Sequence, residues 1–118
     1  MKIKKSDSVK ILCGKDQGKT GKVLNVLHSS SAVKTRSGKD VKIVVEGLNL
    51  RYKHLRPKKS GEKGQRIMFP APMNISDVQL ICPKCGKPTR VGFKIRQNKS
   101  ETTRNKKQRI CKKCKNTF

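Results

Sequence analysis

The fold is constrained most by a run of ten residues that combines three glycines with three lysines, Gly14-Lys15-Asp16-Gln17-Gly18-Lys19-Thr20-Gly21-Lys22-Val23. It is close to a nucleotide-binding P-loop, but Gly14 and Gly18 enclose only three residues, one fewer than a P-loop requires. The segments on either side, residues 8–13 and 22–27, show apolar alternation and β-branched content that favour strands. A P-loop opens a helix instead. The run therefore predicts a strand, a glycine-lysine turn and a second strand.

The charge of the chain indicates a polyanionic partner. Its 118 residues carry 31 lysines and arginines against seven acidic residues, a formal charge of +24. Such a surface repels itself unless a partner neutralises it. Nucleic acid, an anionic membrane and an acidic protein are the candidate partners, and the length allows one small domain with or without an appendage.

The distribution of the charge disfavours a membrane. Basic residues are spread from Lys2 to Lys115 and form no amphipathic helix with a wide apolar face. No window approaches the roughly 20 apolar residues of a membrane span, and no signal-peptide pattern follows the N-terminus. We therefore expect a cytoplasmic protein without a membrane span, and nucleic acid as its partner.

RNA is a better candidate than DNA. The chain has no helical periodicity of the kind that DNA-reading helices need. Its aromatic residues, Tyr52, Phe69, Phe93 and Phe118, are too few for a base-stacking platform. The remaining interpretation is that basic loops on a β scaffold contact the phosphates of folded RNA.

Four of the five cysteines form two C-x-x-C pairs, Cys82 with Cys85 and Cys111 with Cys114. In a cytosolic protein this spacing predicts one tetrahedral Zn²⁺ held by four thiolates, with each pair forming a knuckle at the end of a hairpin. Four protein ligands leave no open position, so the site is structural. The fifth, Cys13, lies on the same alternating face as Val9 and Ile11 and is predicted to be a small buried residue.

Three rival interpretations of the four cysteines are disulfides, a redox pair and an iron–sulfur cluster. Stable disulfides are rare in the cytosol. No thioredoxin-like βαβ pattern accompanies either pair. Neighbouring lysines, among them Lys84 and Lys113, favour thiolates and hence metal ligation.

The remaining segments are short and bounded by turn-forming residues. A third strand is predicted at residues 41–46 and a further one at 75–81. The loop 29–40 is either a solvated tip or an RNA-contacting finger. Residues 49–59 contain six basic residues and Pro57 but no strand alternation. We predict that this basic arm is disordered alone and orders on RNA.

The ten-residue run resembles the KOW motif, and residues 3–96 as a whole are similar to the bacterial large ribosomal subunit protein twenty-four family. The supporting stretches are Val45-Glu46-Gly47-Leu48-Asn49, Lys53-His54, Ile75-Ser76-Asp77-Val78 and Gly86-Lys87-Pro88-Thr89-Arg90-Val91-Gly92-Phe93-Lys94.

The resemblance implies an SH3-like barrel that binds the 5′ region of 23S rRNA, acts early in subunit assembly and lies near the polypeptide exit tunnel. It assigns RNA contacts to Lys15, Lys19 and Lys22 in the turn and to Lys53 and His54 in the arm. We add the remaining basic residues of the arm and one residue of the last matched stretch, namely Arg51, Arg56, Lys58, Lys59 and Arg90. Neighbouring large-subunit proteins are the other expected partners, and no small-molecule substrate is expected.

Two features depart from the family pattern. The loop 29–40 is longer than the family's usual turn, which affects its expected position on the RNA. Many family members lack the cysteines, so the zinc site is a feature of a subgroup.

The predicted fold is mostly β: a small SH3-like KOW barrel with a basic arm in residues 1–58, and a β extension closed by a pair of zinc knuckles in residues 59–118. A KOW-type transcription elongation or antitermination factor, which binds RNA polymerase and nascent RNA, is the alternative. An enzyme is not expected, because the seven acidic residues are scattered singly and form no catalytic set.

Overall fold

The computed structural model describes residues 1–28, 41–57, 61, 63–96 and 106–118. The loop 29–40, with its predicted role as tip or finger, and the predicted RNA contacts Lys58 and Lys59 lie outside these residues. The described part contains ten strands and one short 3-10 helix: β1 (Ser8–Ile11), β2 (Thr20–His28), β3 (Val41–Val45), β4 (Leu50–Leu55), β5 (Gln65–Pro70), β6 (Met73–Asn74), the 3-10 helix (Ile75–Asp77), β7 (Val78–Ile81), β8 (Pro88–Thr89), β9 (Val91–Arg96) and β10 (Lys106–Cys111). No helix among the described residues is long and apolar enough to cross a membrane.

Six strands form one antiparallel sheet in the order β6-β3-β2-β1-β7-β8. β1 and β2 are joined by the glycine-lysine turn, with Val9 opposite Gly21. This confirms the predicted strand–turn–strand. The third strand is also confirmed, whereas the segment 75–81 begins as a 3-10 helix and becomes a strand only at Val78.

The core of the sheet is built from alternating β-branched residues. Val9 and Ile11 of β1 and Ile43 and Val45 of β3 are at most 2% exposed. Close packing explains the glycine of β2: a Cβ at Gly21 would lie 2.7 Å from Val45 Cγ1, too close for any side chain. The core thus follows from the period-two pattern of the sequence.

The sheet is open, contrary to the predicted closed barrel. Its edges are β6 and β8, and no strand pairing joins them among the residues that the structure describes. Both edge strands are only two residues long, and Pro88 lacks a backbone N–H. Such edges offer few groups for closure. The sheet takes strands from both sides of residue 58, and the division of the chain at that residue stays a prediction.

Two further hairpins project as separate two-stranded sheets. β9 pairs with β10, from Val91 opposite Cys111 to Arg96 opposite Lys106, so a hairpin lies between the two cysteine pairs. β4 pairs with β5, from Leu50 opposite Pro70 to Leu55 opposite Gln65. Residues 50–55 of the basic arm therefore form a strand that the local sequence pattern does not show, and the disorder of the arm in the free protein stays a prediction.

The arm escaped detection for a physical reason. Every residue of β4 is exposed, because neither face of this hairpin packs on a core. Apolar alternation marks a strand only when one face is buried. Pairing with residues 65–70 supplies the order that the local pattern does not reveal.

Candidate metal centre and nucleic-acid interface

The four paired cysteines converge at one point. Their Sγ atoms all lie within 4.8 Å of one another, and Cys82 Sγ is 3.7 Å from Cys114 Sγ. A tetrahedral ion with bonds of about 2.3 Å to sulfur places its ligands roughly 3.8 Å apart. The spacing therefore fits a four-thiolate metal site with little rearrangement.

The first cysteine pair lies in a tight knuckle. The backbone N–H of Cys82 donates to the carbonyl oxygen of Lys87 (3.1 Å), and the N–H of Gly86 donates to that of Cys82 (2.9 Å). Gly86 has φ +64°, a left-handed conformation that glycine adopts at no steric cost. The turn directs the sulfurs of Cys82 and Cys85 to the same side.

The second pair repeats this turn bond for bond. The N–H of Cys111 donates to Asn116 (2.9 Å), and the N–H of Lys115 donates to Cys111 (2.9 Å). Lys115 occupies the position of Gly86 and has φ +56°, which is unfavourable for a residue with a Cβ. Two knuckles of one geometry, one of them held in an unfavourable conformation, indicate a shared ligand.

The protonation of the cluster also points to a cation. The backbone N–H of Cys114, followed by the hydroxyl of Thr89 at 3.4 Å, lowers the pKa of Cys111 to about 6. The Asn116 amide favours the thiolate of Cys114, but burial and the three other sulfurs outweigh it and raise the pKa of Cys114 to about 11. Negative charge on one sulfur therefore opposes negative charge on its neighbours. A metal ion would allow all four sulfurs to be thiolates, and the all-sulfur donor set fits Zn²⁺.

An ion pair near the cluster fastens the C-terminal hairpin to the sheet. Arg109 of β10 donates to both carboxylate oxygens of Asp7, with Nη2 to Oδ1 at 3.0 Å, and to the carbonyl of Lys2 at 3.2 Å. The two side chains are only 11% and 14% exposed. The guanidinium also lies 4.8 Å from the ring centre of Phe118. A two-pronged, nearly buried pair of this kind fixes orientation as well as distance.

The glycine-lysine turn follows the end of β1 that is farther from Asp7, and it exposes its lysines there. Gly14 and Gly18 have φ +91° and +85°, which lets the chain reverse tightly. The N–H of Gly18 and the carbonyl of Lys19 both bond to Ile11 and close the turn. Lys15 and Lys19 are consequently exposed at its tip.

Asp16 links this turn to the base of the β4–β5 hairpin. Its carboxylate accepts from Lys19 Nζ at 2.7 Å and from the backbone N–H of Asn49 at 2.9 Å. Asn49 in turn donates to the carbonyl of Ala71, just after β5. The Lys19 ammonium and the Asn49 amide both hold the pKa of the Asp16 carboxyl below its usual value. Turn and hairpin thus form one connected surface.

The predicted RNA contacts among the described residues fall into four places. Lys15 and Arg51 line one cavity between the turn and the hairpin base, and Lys19 is exposed at the tip of that turn. Lys53, His54 and Arg56 continue outward along the exposed edge of the arm. The remaining two are apart from both: Lys22 is exposed in β2, and Arg90 lies beside the knuckles, where its carbonyl accepts from the N–H of Lys112.

Cys13 is exposed, which corrects the prediction that it packs in the core. β1 ends at Ile11, and the chain turns away from the sheet before Cys13. The alternation in the sequence therefore extends two residues beyond the end of the strand, and Cys13 does not share the buried face of Val9 and Ile11.

Three side chains of the candidate sites were not anticipated. Lys42 lines the same cavity as Lys15, and Arg66 lies 3.6 Å above the ring centre of Tyr52 on the exposed hairpin. The alternation of Lys42 with buried Ile43 is a usable sequence signal for an outward-facing cation. Arg66 and Arg109 carry none, because their partners lie on other strands.

Comparison with known proteins identifies relatives along nearly the whole chain. Residues 48–118 match the family model "Large ribosomal subunit protein uL24, C-terminal domain", and residues 4–52 match "Transcription elongation factor SPT5, seventh KOW domain". The uL24 match covers more than half of the chain and the SPT5 match less than half.

Individual relatives agree with the longer match. Proteins named large ribosomal subunit protein uL24 are 45% identical in Caldicellulosiruptor saccharolyticus (95% of this chain, 90% of the relative) and 40% identical in Syntrophomonas wolfei (97% and 95%). The protein of that name in Aquifex aeolicus is 43% identical (96% and 86%). The chain therefore belongs to the family of large ribosomal subunit protein uL24.

Proposed function

We propose that the protein is a structural component of the large ribosomal subunit that binds the 5′ domain of 23S rRNA through its basic loops. In this role it assists early assembly of the subunit and lies near the polypeptide exit tunnel, in the cytoplasm. Its partners are this rRNA and neighbouring large-subunit proteins. The protein is not an enzyme, because its family is one of structural ribosomal proteins.

The observation that carries the RNA proposal is the joining of two basic elements into one surface. Asp16 bonds both to Lys19 of the turn and to the backbone of Asn49 at the start of the arm. The lysines of the turn and the base of β4 are therefore held in a fixed relation before any partner binds, and the exposed strands beyond that base gain order from the RNA. A surface arranged in advance loses less conformational freedom on binding.

The mechanism is electrostatic. Lys15, Lys22 and the cations of the arm would neutralise phosphates of adjacent rRNA helices that otherwise repel one another. Each contact releases condensed counterions, so affinity falls steeply with salt. Backbone contacts of this kind fix position and orientation without reading sequence, which suits a protein that stabilises a folded RNA.

A salt series tests the proposal. Replacing Lys15, Lys19 and Lys22 by glutamine should weaken binding of a 5′-domain rRNA fragment and flatten the slope of log affinity against log salt by up to about three phosphate contacts. The matched control replaces Lys2, Lys4 and Lys5, which are also exposed but precede β1, whose other end leads into the turn. Equal slopes for the two triple variants would contradict the assignment of the turn.

The SPT5 match to residues 4–52 favours one alternative, a KOW-type transcription factor that binds RNA polymerase and nascent RNA. Cosedimentation with ribosomal particles in high salt separates the two functions. A structural component of the large subunit should remain with the particles, whereas a polymerase factor should leave them.

We also propose that Cys82, Cys85, Cys111 and Cys114 bind one structural Zn²⁺. The support is the convergence of all four sulfurs within 4.8 Å from two knuckles with matching hydrogen bonds. Burial reinforces the assignment, since Cys82 and Cys111 are fully buried and the metal would satisfy sulfurs that solvent does not reach. A bound ion would close the base of the β9–β10 hairpin.

Metal analysis of protein purified without chelator tests the zinc proposal. We expect one zinc per chain, lost in Cys82→Ser and in Cys114→Ser. Cys13→Ser is the matched control, because this exposed thiol lies outside the cluster. Protein that contains almost no metal but keeps an ordered β9–β10 hairpin would disprove the site.

A further inference from the structure

A cavity of about 510 Å³ lies between the glycine-lysine turn and the base of the β4–β5 hairpin. Leu50 of β4 and Met73 of β6 line it with apolar side chains, and the buried Ile11 of β1 lies at its floor. Three cations join them, listed here with their elements: Lys15 of the turn, Lys42 of β3 and Arg51 of β4. Apolar and cationic groups from four strands and a turn thus meet in one groove.

We propose that this groove binds one unstacked nucleotide of RNA, with the base against the apolar side chains and the adjoining phosphates at the cations. The inference rests on the proposed RNA-binding function and specifies one point of contact within it. Folded RNAs are recognised chiefly where bases are splayed out of the helix. The volume lies in the range of roughly 300–1,000 Å³ typical of pockets for small ligands.

The composition of the groove argues for a nucleotide over a phosphate alone. A phosphate needs only cations, whereas Leu50 is an apolar side chain left 47% exposed within a strongly basic region. A base offers a flat face for such a side chain. Its attached phosphates supply the negative charge that Lys15, Lys42 and Arg51 require.

Two carboxylates that face the groove restrict how the nucleotide lies. Asp16 is already occupied by Lys19 Nζ and the Asn49 amide, and Asp77 Oδ1 accepts from Ser76 Oγ at 3.0 Å. Both repel phosphate and accept hydrogen bonds. They therefore suit the amino edge of a base or a ribose hydroxyl, and the phosphates belong on the side of the three cations.

The test compares two substitutions in the groove with one outside it. Leu50→Ala removes apolar contact with the base and should weaken binding of a 5′-domain rRNA fragment about fivefold with an unchanged salt slope. Arg51→Gln should flatten the slope by about one phosphate contact. Ile95→Ala is the control, since Ile95 is 56% exposed on the other hairpin and should leave both quantities unchanged.

A second readout uses the thiol of Cys13, which lines the groove and is exposed. A saturating concentration of the rRNA fragment should slow alkylation of the Cys13 thiol by N-ethylmaleimide. Mass spectrometry of the metal-loaded protein measures the rate of this reaction. In a Cys13→Ser, Ile95→Cys variant the introduced thiol should react at the same rate with and without RNA.

The outcomes separate this inference from the proposed function. RNA binding with equal affinities for Leu50→Ala and Ile95→Ala, or with unprotected Cys13, would overturn the groove and leave the RNA-binding role intact. Absence of rRNA binding by the unmodified protein would overturn both. The thermal unfolding temperature of Leu50→Ala should equal that of the unmodified protein, which verifies that the substitution changes only the groove.

Discussion

The two projecting hairpins have the same pairing but different support. Each has six registered residue pairs. The base of β9–β10 carries the buried residues Val91 and Cys111, the cysteine cluster and the Asp7–Arg109 ion pair. β4–β5 has exposed side chains along nearly its whole length, and its base is held by the bonds of Asn49 to Asp16 and to Ala71.

This difference shows how a chain of charge +24 orders segments that cannot be buried. An isolated two-stranded hairpin is marginally stable in water at best. One hairpin gains order from ligands inside the protein, the sulfurs and an ion pair. The other keeps its cations exposed, and we propose that it gains order when it binds RNA.

The largest expected effect comes from loss of the cysteine cluster. Chelation of the metal, or Cys111→Ser, should abolish amide protection throughout β9–β10, because the remaining thiols repel once charged and the hairpin loses its closed base. β4–β5 should be unaffected. Hydrogen exchange by mass spectrometry measures both hairpins in one sample, and Cys13→Ser serves as the unchanged reference. Simultaneous loss of both hairpins would refute their independent support.

The ion pair should contribute the next largest effect. Asp7→Asn leaves the nearly buried Arg109 guanidinium without its counter-charge and should lower the free energy of unfolding by about 3 kcal/mol. Urea denaturation followed by circular dichroism measures it. Lys107→Gln, an exposed change on the same strand, should stay within about 0.5 kcal/mol. Equal stability of these two variants would show that the pair does not hold the hairpin.

A smaller, pH-dependent effect is expected at the base of β4–β5. The pKa of Asp16 is lowered in the folded protein, so its stabilising contribution is complete above the unfolded pKa and is lost as pH falls through the folded value. Exchange protection of the Asn49 amide should fall with acidification in that window. Asp16→Asn should remove this pH dependence, whereas Glu46→Gln, which changes an exposed acid in the turn after β3, should retain it.

The smallest effect should follow from Tyr52→Ala. Tyr52 is 56% exposed, and its principal contact is the Arg66 guanidinium 3.6 Å from the ring centre. Loss of an exposed cation–π contact should cost about 0.5–1 kcal/mol locally. Thermal unfolding of the whole protein should hardly change. A large global destabilisation would mean that this hairpin supports the core.

Local patterns in the sequence predicted the parts of the fold that local physics determines. Buried alternation revealed β1 and β3, and glycine spacing revealed the turn between β1 and β2. The C-x-x-C spacing revealed which four cysteines meet, since each knuckle is formed by consecutive residues.

Long-range pairing could not be predicted in the same way. Asp7 and Arg109 are 102 residues apart, and neither is distinguished from the other charged residues in the sequence. The strand character of residues 50–55 depends on residues 65–70, and the open sheet depends on how short its edge strands are. The exposure of Cys13 depends on where β1 ends, which alternation alone does not specify.

The most direct test of the central claim is one hydrogen-exchange experiment on the full chain under three conditions: metal-loaded, chelated, and metal-loaded with a 5′-domain rRNA fragment. Amide protection of β9–β10 should disappear on chelation. Protection of β4–β5 should be weak in both RNA-free samples and should rise when the fragment binds. If β9–β10 stays protected after chelation, or if RNA leaves the protection of β4–β5 unchanged, the two hairpins do not differ in their source of order.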